Sequence, residues 1–113
     1  MLRSRISLVV LLAACLVSAG STIARADELD HVAARQAREK GEILSLARIL
    51  DAANAEFSGE VVEVELEREK GRWEYEVELL TAGGAVIELT YDAATGRLLG
   101  TEGAGVERAR KRP

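Results

Sequence analysis

Seven glutamates, Glu63, Glu65, Glu67, Glu74, Glu76, Glu78 and Glu88, are the side chains whose type and spacing most suit chemistry. Six of them recur at every second position in two short runs. Paired carboxylates act as general acid and base only where a cleft drives their pKa values apart. On an open surface they do other work: they offer oxygen ligands to hard cations, or a field that draws in a basic partner. Both uses are open here. A cation-binding or sequestering role would fall on Glu63, Glu65, Glu76 and Glu78, and a partner-binding face on all seven.

Other chemistry is scarce. Histidine occurs once, as His31, and cysteine once, as Cys15, so the chain lacks a cluster of soft or imidazole ligands for zinc, iron or copper. A Ser-His-Asp arrangement would have to use His31, which falls in a weakly patterned helical stretch and reads as a surface residue. Gly83-Gly84 and Gly103-Ala104-Gly105 do not open helices after strands, so neither is a phosphate cradle. The stretch Asp92-Ala93-Ala94-Thr95-Gly96 lacks the alternating acids and closing glutamate of a calcium loop. The expectation is a protein that is not an enzyme, with no catalytic, cofactor-binding or metal site.

The N-terminus carries Arg3 and Arg5 without an acid, then an apolar run from Ile6 to Val17 and small residues at Ser18 to Ser21. This is the pattern of a secretory signal peptide, with Ala24-Arg25-Ala26 as cleavage site and residues 1–26 removed. The run is shorter than the about 20 apolar residues of a membrane-spanning helix. Leu12-Ala13-Ala14-Cys15 also reads as a lipobox, which would anchor the protein through Cys15 instead. Cleavage after Ala26 leaves 87 of the 113 residues and no cysteine. Losing Arg3, Arg5 and Arg25 leaves 12 basic residues against 19 acidic ones, a formal charge of −7. Such a body repels nucleic acid. A periplasmic or secreted location is expected, with membrane contact only through a retained or lipidated N-terminus or a basic tail.

Residues 27–42 form an N-terminal helical segment, with Leu29, Val32, Ala33, Gln36 and Ala37 at helical spacing and Gly41 as its stop. Its apolar stripe is thin, which implies loose docking. A better specified helix follows. Ser45 is a suitable N-cap, and Leu46, Ile49, Leu50, Ala53 and Phe57 make one apolar stripe before Gly59.

From Val61 the period changes to two. Val62, Val64 and Leu66 alternate with Glu63, Glu65 and Glu67; after a Lys70-Gly71 turn, Trp73, Tyr75, Val77 and Leu79 alternate with Glu74, Glu76 and Glu78. A third run puts Ala85, Ile87, Leu89 and Tyr91 inward behind a Gly83-Gly84 turn, and a short fourth strand spans Arg97 to Leu99. In Asp92-Ala93-Ala94-Thr95-Gly96 the aspartate accepts backbone N–H groups and Gly96 takes positive φ. Residues 101–113 read as a flexible basic tail ending in Arg108-Ala109-Arg110-Lys111-Arg112-Pro113.

A turn at Lys70-Gly71 sets the register: Leu66 opposite Tyr75, Val64 opposite Val77, Val62 opposite Leu79, and Glu67, Glu65 and Glu63 opposite Glu74, Glu76 and Glu78. The second hairpin keeps Leu79 opposite Ile87 and brings Glu88 beside Glu78. Like charges directly across strands are destabilising. The sheet should therefore carry a solvated carboxylate array on one face, either an edge-protecting surface or a docking surface for a basic partner.

With the elements placed, Gly41 to Leu99 resembles the PepSY domain family. The resemblance rests on Ile43-Leu44-Ser45-Leu46 opening a helix, Gly59-Glu60-Val61-Val62-Glu63-Val64-Glu65-Leu66, Tyr75-Glu76-Val77 and the closing Asp92-Ala93-Ala94-Thr95-Gly96-Arg97-Leu98-Leu99. It departs from the usual helix start, with Ala47-Arg48 where Glu-Glu is common. The resemblance implies a secreted or periplasmic module, also found in metallopeptidase propeptides, that binds or restrains another protein. Period, parity and resemblance together predict an α+β fold: one or two N-terminal helices packed on an antiparallel sheet of three to four strands, with the PepSY-like domain over residues 43–100. The expected function is a non-catalytic binding or regulatory module acting on an envelope partner, a peptidase or a sensor domain.

Overall fold

The structure, a computed structural model, describes residues 31–112. The expected signal segment 1–26, with Cys15, and the start of the N-terminal segment lie outside the described residues. Helix α1 (31–39) leads through a turn to α2 (Leu46–Glu56), four strands follow as β1 (Glu60–Glu69), β2 (Arg72–Leu80), β3 (Val86–Asp92) and β4 (Leu98–Glu102), and a short α3 (Val106–Ala109) closes the chain. The strands form one antiparallel sheet in the order β1-β2-β3-β4. The α+β class holds, with one correction: α3 is C-terminal, so the helices do not all precede the sheet.

Helix α2 starts where its cap chemistry requires. The Ser45 hydroxyl accepts from the Arg48 N–H at 3.4 Å, and Ile49 and Ala53 are fully buried. The stripe continues to Phe57, which has left the helix for extended backbone and is also buried. The expected exit at Gly59 is therefore two residues late. Gly59 has a different constraint, since a Cβ there would lie 3.0 Å from the Leu80 carbonyl oxygen. Helix α1 docks through Ala34 and Ala37, whereas Val32 is 47% exposed. Small side chains let its backbone approach the core closely, which a stripe of larger residues would have prevented.

The inner face of the sheet supplies most of the core: Tyr75, Val77, Leu79, Ile87, Leu89 and Tyr91 pack with Ile43, Ile49, Ala53 and Phe57. At about 25 cal/mol per Å² of apolar surface removed from water, this layer is the main stabilising element of a small domain. The Tyr75 hydroxyl donates to the Leu44 carbonyl at 2.9 Å, and the Leu44 N–H donates to the Ala93 carbonyl at 2.7 Å. These bonds tie the α1–α2 connection to the sheet.

Turn chemistry follows the sequence closely. Lys70 and Gly71 both have positive φ, 50° and 78°, as a two-residue hairpin turn matched to strand twist demands. Asp92 Oδ1 accepts from the N–H groups of Ala94 (2.8 Å) and Thr95 (3.3 Å), and Gly96 sits at φ 77°.

The segment after Gly100 corrects the expected flexible tail. Thr101 and Glu102 complete β4, Ala109 is buried, and Phe57 and Arg110 form an isolated antiparallel bridge. The Ser58 N–H donates to the Ala109 carbonyl and the Lys111 N–H to the Glu56 carbonyl, each at 2.7 Å. Backbone pairing at the end of α2, with one small apolar residue to bury, outweighs a basic composition that alone suggests solvation.

Candidate functional site

The outer face of the sheet is built by register. Below Val62 the expected pairing stands: Glu63 lies opposite Glu78, Glu65 opposite Glu76 and Glu67 opposite Glu74. Glu78 is in turn opposite Glu88, and Glu88 opposite Glu102. Glu63, Glu78, Glu88 and Glu102 thus form one row of carboxylates across all four strands. The next rows are Glu65, Glu76, Thr90 and Gly100, then Glu67, Glu74 and Asp92. All seven glutamates singled out in the sequence share this face. Glu102, expected in the tail, joins the row because a register shift between Leu98 and Gly100 turns Gly100 and Glu102 to the outer face while Leu98 stays opposite Tyr91.

Two expectations about this face need correction. Val62 does not point inward opposite Leu79: a bulge between Val61 and Glu63 pairs Val61 with Leu79 and leaves Val62 51% exposed. The extra residue resolves two apolar neighbours, Val61 and Val62, of which only one can face the core. The array is also not uniformly solvated, since Glu67, Glu74 and Glu76 are buried at 5%, 7% and 8% exposure. Side chains paired directly across strands within a row stand only about 5 Å apart and shield one another from water.

Electrostatics on the face follow from these spacings. A hydrogen bond with the Glu78 carboxyl, then that group's charge, with smaller effects of Glu65, raise the pKa of Glu63 above the ordinary glutamate value. Arg72 Nη2 meets Glu74 Oε1 at 2.9 Å, with the arginine largely exposed and the carboxylate buried. Glu65, Glu67 and Glu76 each place a carboxylate oxygen within 4.8 Å of the others, a spacing at which the three could share a hard cation. Beside them, a groove of about 620 Å³ runs over β3 and β4, with Lys70, Arg72 and Glu74 at one side and Thr90, Leu99 and Glu102 at the other. At the opposite end of the face, Val62, Leu80 and Val86 are exposed.

Comparison with known families settles the broader class. Residues 43–102, more than half of the chain, match the PepSY family, described as the peptidase propeptide and YPEB domain. The chain belongs to the PepSY family. The match covers α2 and all of β1 to β4, so it includes the whole carboxylate face. It starts at the buried Ile43 and ends at Glu102, the last member of the glutamate row. PepSY domains are associated with peptidase propeptides and regulatory modules. Comparison with curated proteins and with solved structures gave no significant match. No helix among the described residues is long and apolar enough to cross a membrane.

The remaining candidates do not converge. His31 lies exposed at the start of the described part of α1, and Tyr75 and Tyr91 are inward core residues, as parity predicts. Trp73 is half-buried on the inner face, with the Arg68 guanidinium 5.2 Å from its ring centroid.

Proposed function

We propose that this PepSY domain is a non-catalytic, periplasmic or secreted module that binds another envelope protein, a peptidase or a sensor, and modulates it through the acidic outer face. The row Glu63-Glu78-Glu88-Glu102 carries this reading. Four like charges in register weaken the sheet that holds them, a cost a basic partner would relieve. Such a field also speeds the approach of a cationic surface, more so at low salt.

The test is crosslinking in envelope extract with the native protein and with a variant carrying Glu63→Gln, Glu78→Gln and Glu88→Gln. A partner of the native protein is then remade and titrated with both forms at low and high salt. Weaker, less salt-dependent binding by the variant supports the proposal; equal binding by both sinks it.

A second reading is weak divalent-cation binding, for which the Glu65, Glu67 and Glu76 oxygens provide the observation. Calorimetry with Ca²⁺ decides it: neither heat nor a thermal shift would end it.

A further inference from the structure

The sheet ends in β1 on one side and β4 on the other. These edges differ. β4 has five residues, is interrupted by a register shift and runs directly into the turn to α3. β1 has ten, and below the bulge its pairing with β2 is regular from Glu63 to Glu69.

The inner side of β1 is also incompletely covered. Val77, Leu79, Ile87 and Leu89 on β2 and β3 are fully buried, whereas Val61, Val64 and Leu66 on β1 are only partly so. A strand laid against β1 would extend the ladder through backbone groups that face away from β2, and would cover these three side chains.

The outer side of the same strand offers carboxylates at every second position, with Glu63, Glu65 and Glu69 half-buried and facing outward. This pattern opposes pairing with a second copy of β1, because glutamates would face glutamates. It suits an incoming strand with lysine or arginine on its outer side and valine, isoleucine or leucine on its inner side. Cross-strand neighbours about 5 Å apart would then pair opposite charges outside and apolar groups inside.

We infer that β1 is a strand-addition site for an extended partner segment in which basic and β-branched or aliphatic residues alternate, docked along Glu63 to Glu69 as a fifth strand. This rests on the acidic-face reading above and adds to it the backbone pairing and the edge. On the inner side the apolar contacts stop at Leu66, beyond which the Arg68 guanidinium lies over the Trp73 ring.

The experiment uses the full chain and three synthetic peptides: an alternating Lys-Val peptide, the same peptide N-methylated at alternate residues, and an alternating Glu-Val peptide. Titration by fluorescence anisotropy is combined with amide hydrogen exchange. The Lys-Val peptide should bind and slow exchange in β1, and not in β4. N-methylation keeps every charge and removes edge donors, so it should weaken binding by about tenfold or more. The Glu-Val peptide should not bind.

A Glu65→Lys variant should reverse the preference between the two charged peptides. Equal binding of the methylated and unmethylated peptides, with protection absent from β1, would overturn the edge site while leaving the acidic face intact. Absence of binding by every peptide would overturn the edge site, and the partner titration proposed above would still judge the acidic face separately.

Discussion

Arg110 Nη1 donates to Glu56 Oε1 at 2.8 Å, joining the C-terminal segment to the end of α2. The same guanidinium lies 5.0 Å from the Phe57 ring centroid, above a side chain that is buried. Both partners of the ion pair remain more than a third exposed, so the pair marks the docking more than it drives it. Backbone pairing of Phe57 with Arg110 and burial of Ala109 do more.

Arg110→Ala should therefore cost less than about 1 kcal/mol. Removal of residues 106–113 should cost about 2–5 kcal/mol, the scale of deleting buried side chains, because it uncovers the Phe57 end of the core. Urea unfolding followed by Trp73 fluorescence checks both, and equal midpoints for the truncated and full chains would contradict the docking.

Gly103 and Gly100 should respond in opposite ways to alanine. At Gly103, φ is 115° and a Cβ would stand 2.7 Å from the Val86 carbonyl oxygen, so Gly103→Ala should lower the thermal midpoint by several degrees. Gly100 has nothing within 4 Å, and Gly100→Ala should be neutral or slightly stabilising. Thermal melts of the two variants side by side decide it.

Glu63 links stability to pH. Its folded pKa is raised, by Glu78 first and Glu65 after it, so the folded chain holds a proton that the unfolded chain releases sooner. Its stabilising contribution is full below the ordinary glutamate pKa of 4.5 and is lost as pH rises through the higher folded value. Glu63→Gln should flatten this fall and raise stability at neutral pH. Urea midpoints from mildly acidic to neutral pH, for both proteins, provide the check.

Tyr91 is 1% exposed and its hydroxyl has no hydrogen-bond partner among the described residues. Burial, and secondarily the charge of Glu56, push its pKa up to about 12. Tyr91→Phe should be neutral or stabilising, since it removes a buried polar atom without orphaning a partner. Ultraviolet titration should show one tyrosine ionising well above the ordinary value of 10.0. Its contribution to stability disappears as pH rises through that interval, so alkaline unfolding should shift upward in the phenylalanine variant.

Local patterns determined much of this protein. Period two from Val61, the Lys70-Gly71 turn and the Asp92 to Gly96 turn are written within a few residues of where they act, and they place seven glutamates on one face with correct partners. Ser45 and the stripe to Phe57 specify α2 in the same local way. Membership in the PepSY family is legible for the same reason, because its motifs are these turns and strands. Tertiary structure decided the rest. Which of Val61 and Val62 turns inward depends on how the end of β1 meets Leu79, and alternation alone cannot choose between two adjacent valines. Burial of Glu67, Glu74 and Glu76 depends on crowding between side chains paired across strands. Docking of the C-terminus joins residues more than fifty positions apart through one alanine and backbone bonds, so composition gave a basic tail where long-range pairing made a structural element.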